Sequence, residues 1–466
     1  MRRRLLSLVL VALPVLFAHG AAHAIDLDEA RHLVSRTGLG VTPEEIAALR
    51  PLSYDQAVQK LLAGARAKAV TPPPAWADEP FRLPRPKQMS EAERKELRRT
   101  IVMRAVELRA WWYREMAATP SPLTEHMTLF WSNHFTSSLQ KVRWPQFIYR
   151  QNVLLRREAL GNFGKMLHDI ARDPAMIVYL DNATNHKGKP NENFARELLE
   201  LFTLGEGHYT ERDIKEAARA FTGWSIDRET GEFRFYPRLH DDGEKTFMGV
   251  TGRLDGDDVI DIVLRQPRTA EHIAEKMWRE FVSDAPDRAE IAAIADRFRA
   301  SNYDIKTLVV ATLMTPSFRG AANRGVLVKS PVELMVGTMR LFDAGALDGE
   351  TLARIGHRLG QDLMNPPNVK GWPGGEAWIT ADTLLVRQQL LTRVAAGQGM
   401  MAPNKRMAGT GDGLDGWLKS LPPDLRDRQN LTNLLLPIRP VTPPAADSDP
   451  ERFVAQLLLD PAYELK

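Results

Sequence analysis

Helix-start signals recur along this chain with very little strand signal to set against them, and this limits the fold more than any other feature. Thr42-Pro43-Glu44-Glu45 places an N-cap hydroxyl, a proline at the first helical position and a glutamate able to reach back to the cap, and Ser330-Pro331-Val332-Glu333 repeats the device. Asp173-Pro174 opens a further helix, and Thr210 with Asp213 caps ERDIKEAARAF. Patterns of period 3.6 cover residues 90–118, 121–134, 145–171, 257–265, 269–282, 288–300, 304–314 and 331–343. The fold expected is all-α, an irregular multi-helix domain. Strand-like alternation is confined to GEFRFYP, 231–237, which is expected to pair with KTFMGVTG, 245–252, as one small β-hairpin.

The first residues set the compartment. Arg2, Arg3 and Arg4 precede an apolar run that ends in Ala22-His23-Ala24, the pattern of a secretory signal peptide over residues 1–24. That run is broken by Pro14 and is shorter than the roughly 20 residues of a membrane span. A periplasmic or secreted protein with no membrane span in its mature chain is expected. The whole sequence has 62 basic and 59 acidic residues; without the three leader arginines the two counts are equal, so no basic footprint for nucleic acid remains. The chain contains no cysteine, which excludes disulfides, thiolate metal sites and a cysteine nucleophile. A helical domain over residues 25–395 is expected. It is followed by a flexible loop at 396–416, AGQGMMAPNKRMAGTGDGLDG, and a helical extension to 466 packed on the main domain.

Chemistry concentrates in PNENFARELLELFTLG. At 100° per residue, Glu192, Asn193, Arg196, Glu197 and Glu200 share one side of a helix, opposite Phe194, Leu198, Leu201 and Phe202. An ordinary solvated face would look similar, but three carboxylates beside one arginine, without a lysine, also suit an acid/base pair or a metal site. HMTLFWSNHFTSS sets His126, Phe130 and His134 on one face. His126 reads as a hydrogen-bonded core residue and His134, at the helix end, as the functional candidate. His240, Asp241 and Asp242 in LHDDGEK form a turn able to supply a ligand or base. Trp131, Trp224 and Trp372, the last in the irregular segment PPNVKGWPGGEAWI, offer flat platforms for a sugar ring or large anchors for the core. The chain lacks GxSxG, P-loop, dinucleotide and HExxH signatures.

Taken together, RHLVSRTGLG, FWSNHFTSS, QNVLLRREALGNFGKML, the long run from DPAMIVYLDNATNHKGKP to AARAFTGW, HDDGEKTFMG, VKSPVELMVGTMR and LGQDLMNPPNVKGWPGGEAWI resemble the bacterial DUF1800 family, over about His32 to Arg387. The resemblance implies an exported protein of unknown function and an association with DUF1501-like proteins, which are similar to phosphatases and sulfatases. It also marks recurrent polar positions, among them His32, Arg36, Asn133, His134, Glu192, Arg196, Glu197, Glu200, His240, Asp241, Lys329, Glu333, Lys370 and Trp372.

The expectation is a hydrolase acting on a glycan or similar envelope polymer. Glu197 and Glu200 form its acid/base or metal-binding pair, assisted by His134, His240 and Asp241. Glu192, Asn193, Arg196, Trp131, Trp224 and Trp372 bind substrate. Carboxylates at i, i+3 on one helix are too close for a glycosidase, so Asp241 or Glu333 would supply the second. The alternatives are a phosphate or sulfate ester hydrolase dependent on a divalent metal ion, and a non-enzymatic helical subunit for a DUF1501-like partner.

Overall fold

The helix-start signals act where the sequence places them. Thr42 accepts the Glu45 N–H, and the capping boxes at Ser330/Glu333 and Thr210/Asp213 are complete in both directions. The computed structural model describes residues 23–85, 88–342, 349–396 and 413–466. Most of the signal peptide and of the 396–416 loop therefore lies outside the described residues. The fold is predominantly helical, as expected, and two small two-stranded antiparallel sheets are its strand content among the described residues.

The strand partners differ from those expected. Phe233–Phe235 pairs with Trp224–Ile226, and Lys245–Phe247 folds back on Val250–Gly252. The cause is Met248-Gly249: both residues have positive φ, 47° and 82°, the backbone of a tight two-residue hairpin turn. Residues 245–252 thus close on themselves and leave 231–237 to the strand before it.

The core that frames the site is built on Pro122–His134, which packs against Leu27–Thr37 and Pro145–Glu158. Pro331–Leu341 lies against the long helix Glu91–Ala118. Two glycine contacts fix the spacing of these parts. Gly40, at φ +90°, meets Gly337 backbone to backbone, where a Cβ on Gly40 would stand 2.2 Å from the Gly337 Cα. Gly371, at φ +83°, lies against Asn133, and a Cβ there would fall 2.1 Å from Oδ1. The second contact lets Asn133 Oδ1 accept the Trp372 N–H at 2.7 Å, pinning the irregular 366–378 segment to the end of the Pro122–His134 helix. At the far end of the chain, Lys329 N–H donates to Glu464 O at 2.8 Å and Lys466 N–H to Leu327 O at 2.8 Å. The last residues therefore run as a short extended partner beside 327–329. Helices Arg428–Leu435 and Pro450–Leu458 pack on Leu27–Thr37 and Ala381–Ala395, so the C-terminal segment is part of the main body.

Residues 193–203 are not one regular α-helix. Asn193–Glu197 is α-helical, and Leu198–Thr203 continues as a π-helix, with Leu204 N–H donating to Leu199 O at 2.9 Å. π-segments are rare, and this one leaves carbonyls that side chains must satisfy. His272 and Lys276 donate to Leu201 O at 3.1 and 3.0 Å, His134 to Phe202 O at 3.2 Å, and Arg268 to Leu204 O at 3.0 Å.

Candidate active site

Among the described residues, a group of potential ligand atoms stands not on the 192–200 face but in the lining of a cavity of about 310 Å³. It is built by three helices and the chain end. Pro122–His134 supplies His126, Pro267–Phe281 supplies Glu280, and the first turn of Pro331–Leu341 supplies Glu333. One ligand atom from each lies within 4.8 Å of the others. Lys466, placed by its pairing beside 327–329, brings its ammonium to Glu333 in a direct ion pair and to Glu280 Oε1 at 3.6 Å.

Each member is held from behind. His126 Nδ1 faces Gly38 O at 3.0 Å; a carbonyl only accepts, so Nδ1 carries the proton. Nε2 is thereby turned to Glu280 Oε1 at 2.9 Å and donates its N–H to that carboxylate, a proton it would have to release before binding a metal. The Nδ1 bond to a carbonyl is the arrangement by which proteins orient a histidine that ligates a metal. Glu333 Oε2 accepts the Ser330 N–H at 2.8 Å as the returning half of its capping box, leaving Oε1 for the cavity. Arg36, fully buried, donates to Phe281 O and Val282 O at 3.1 and 3.2 Å, which caps the helix carrying Glu280. Burial alone would push both carboxyls up, but Lys466 and His126 outweigh it and hold Glu280 and Glu333 below the ordinary carboxylate range.

The rest of the lining carries cations and two indoles. Lys276 donates to His134 Nδ1 at 3.1 Å, and burial, reinforced by Arg279, lowers it to about 8. Arg279 and Lys370 are exposed at the mouth, and Trp372 and Trp378 form an apolar wall. Such a pocket suits an anionic group attached to a flat or ring-shaped body.

The residues expected from sequence are distributed over several settings. His134 lines the cavity, but both ring nitrogens are engaged by Phe202 O and Lys276, and burial with the Lys276 charge drives it far below the usual histidine range. Trp372 is in the cavity wall. Glu197 and Glu200 are outside that lining. Glu200 accepts the Tyr209 hydroxyl at 2.8 Å, and Glu197 is raised by burial and by Glu200, with Arg196 and Lys370 opposing. Glu192 and Arg196 form their i, i+4 pair at 3.2 Å, and Arg196 is also bound by Glu211 at 2.9 Å. Exposed Asn193 donates to Asp181 at 3.2 Å. His240 and Asp241 sit on another part of the surface. His240 Nδ1 meets Thr222 O at 2.9 Å, and Asp241 is lowered to about 2 by its Arg219 bond, against some burial. Trp131 and Trp224 are core residues, Trp131 donating its indole N–H to Ala159 O at 3.0 Å.

Sequence reasoning passed over Glu280, Lys276 and Lys466 and treated His126 as core. The signal was present but masked. Lys276, Glu280 and Asp284 recur at i, i+4, i+8, which reads as a solvated stripe until the fold closes the 366–378 segment over it.

The family model described as a protein of unknown function (DUF1800) matches residues 32–464. The chain belongs to the DUF1800 family. The match continues well past Arg387, so the C-terminal helices and the approach to Lys466 are inside the DUF1800 region. No curated protein and no solved structure matches this DUF1800 chain. No helix among its described residues is long and apolar enough to cross a membrane.

Proposed function

We propose that this DUF1800 protein is an exported, metal-dependent hydrolase of phosphate or sulfate esters, working in the periplasm or outside the cell. The observation that carries the reading is the His126–Glu280–Glu333 group. It combines an imidazole whose Nδ1 proton is committed to Gly38 O with two carboxylates held ionised, all opening into one cavity. One nitrogen and two oxygens suit Zn²⁺, Mn²⁺ or Fe²⁺, with coordination positions left toward the cavity for water and substrate. His126, Glu280 and Glu333 would hold the ion, which would supply activation of a water and polarisation of the ester. Lys466 then serves as the cation that neutralises the two carboxylates when the metal is absent, and it must yield on loading. Lys276, Arg279 and Lys370 would hold the anionic ester group, and Trp372 with Trp378 the body that bears it.

A glycan substrate remains the second reading because of those two indoles. A glycosidase mechanism is less well supported. The Glu280 and Glu333 oxygens lie within 4.8 Å, closer than the about 5–5.5 Å of a retaining pair, and a general acid needs one raised carboxyl, whereas both are held down.

The test is metal content by elemental mass spectrometry, together with hydrolysis of aryl phosphates and aryl sulfates, for the wild type, His126→Gln and Glu333→Gln. Stoichiometric metal and metal-dependent turnover, both lost in the folded variants, are expected. A folded wild type that takes up no divalent metal from a titration rules the reading out.

A further inference from the structure

The Glu333–Lys466 pair also lines a second cavity, of about 20 Å³, that shares no other residue with the candidate active site. Its lining holds three cations, Arg31, Lys329 and Lys466, and a single carboxylate, Glu333, which is already taken by Lys466. Arg31 is 3% exposed, yet its guanidinium has no hydrogen-bond or ion-pair partner among the described residues. Asp28, the acid that acts on it most strongly, forms its ion pair with Arg324 at 3.8 Å. Lys329 uses one donor on Tyr463 O at 2.6 Å and rests 3.9 Å over the Tyr463 ring, which leaves two ammonium protons. The neighbouring hydroxyls are committed: Ser35 to His32 O at 3.0 Å, and Thr338 with Tyr463 to one another at 3.0 Å.

A buried guanidinium with no hydrogen-bond partner, beside a half-buried ammonium that keeps two unused protons, gathers positive charge and donors that Asp28 and Glu464 only partly answer. A water molecule would satisfy donors but leave the charge. The space is small, about 20 Å³ for the centre of a water-sized sphere, and it suits one compact anion. We infer that this cavity is a buried halide site in which one chloride ion bridges the Arg31 guanidinium and the Lys329 ammonium. The ion ties the Leu27–Thr37 helix to the 327–329 segment and to Tyr463. It thereby steadies the chain end that carries Lys466 to the neighbouring carboxylates.

Crystals of the full protein grown or soaked in sodium bromide provide the direct test, through anomalous scattering at the bromine edge. Thermal unfolding in sodium chloride against sodium gluconate, at equal ionic strength, provides the second. A bromine peak between Arg31 and Lys329 is expected, with a Tm about 2–3 °C higher in saturating chloride. Both should vanish in Arg31→Met while an Arg98→Met control keeps them. If Arg31→Met does not fold, Lys329→Met replaces it, and the wild-type bromide map decides alone. Absence of bromine from the cavity, with water density in its place, overturns the site. So does a chloride effect on Tm that persists in the variant.

Discussion

Replacing Lys466 with methionine separates the two roles that the geometry gives it. The substitution keeps the aliphatic stem and removes the one ammonium shared by Glu333 and Glu280. Breaking a buried ion pair by deleting one partner costs about 3–5 kcal/mol. The lower end applies, because the Glu280 side chain is 32% exposed to the cavity and Glu333 retains its bond from Ser330 N–H. With an unfolding entropy near 2.1 cal/mol/K per residue, a chain of 466 residues changes Tm by about 1 °C per kcal/mol. Lys466→Met in chelator should therefore melt about 3 °C below the wild type. Adding Mn²⁺ or Zn²⁺ to about 100 times Kd contributes about 2.7 kcal/mol and should restore most of that loss. The wild type should gain less from the same metal, since its ammonium has to be displaced. Differential scanning fluorimetry, with and without metal, reads all four states. An unchanged Tm for Lys466→Met in chelator refutes the electrostatic argument, and a metal shift no larger in the variant than in the wild type refutes the claim that lysine and metal compete for one place.

Glu197→Gln combined with Glu200→Gln should leave metal content unchanged, since neither residue lines the cavity; loss of bound metal in that variant, by elemental analysis, would move the site back to the 192–200 face. Glu125→Gln should cost about 3–5 kcal/mol in urea unfolding without touching metal content, because Glu125 holds buried Arg156 through two bonds of 2.5 and 2.9 Å and accepts the Trp112 indole N–H at 2.9 Å. His272 is lowered to about 4 by burial and by Lys276, so between pH 6.5 and 4 the unfolded chain binds a proton that the folded chain does not. Stability should fall as pH drops through that window, and His272→Gln should flatten the slope of urea midpoint against pH; an unaltered slope refutes the assignment.

The helical architecture was legible because it is written locally. A cap, a proline and a glutamate three residues on act within one turn, and Ser330-Pro331-Val332-Glu333 behaves as it reads. The strand pairing was not legible because 231–237 and 245–252 both alternate, and the choice of partners rests on positive φ at Met248, a residue seldom found there. The wheel at 100° per residue described Glu192–Arg196 correctly and then lost its meaning at Leu198, where the π-helix begins. The candidate site was hidden for a further reason. Its members lie at 126, 280, 333 and 466, and each has an ordinary local explanation: an apolar-helix histidine, a surface stripe, a capping box and a final lysine. Only the tertiary contacts join them.

The meeting of Gly40 with Gly337 sets the tolerance of the whole centre. Gly38, two residues before that contact, fixes the His126 ring, and Glu333 lies about one turn before Gly337 on the Pro331–Leu341 helix. A methyl group at position 40 would have to move from 2.2 Å to an ordinary separation of about 3.5–4.0 Å, a displacement larger than the about 0.5 Å that a ligand set tolerates. Two absent side chains thus act as the gauge block of the site: the distance from imidazole to carboxylate is machined by backbone touching backbone, and no repacking of neighbouring residues can reset it.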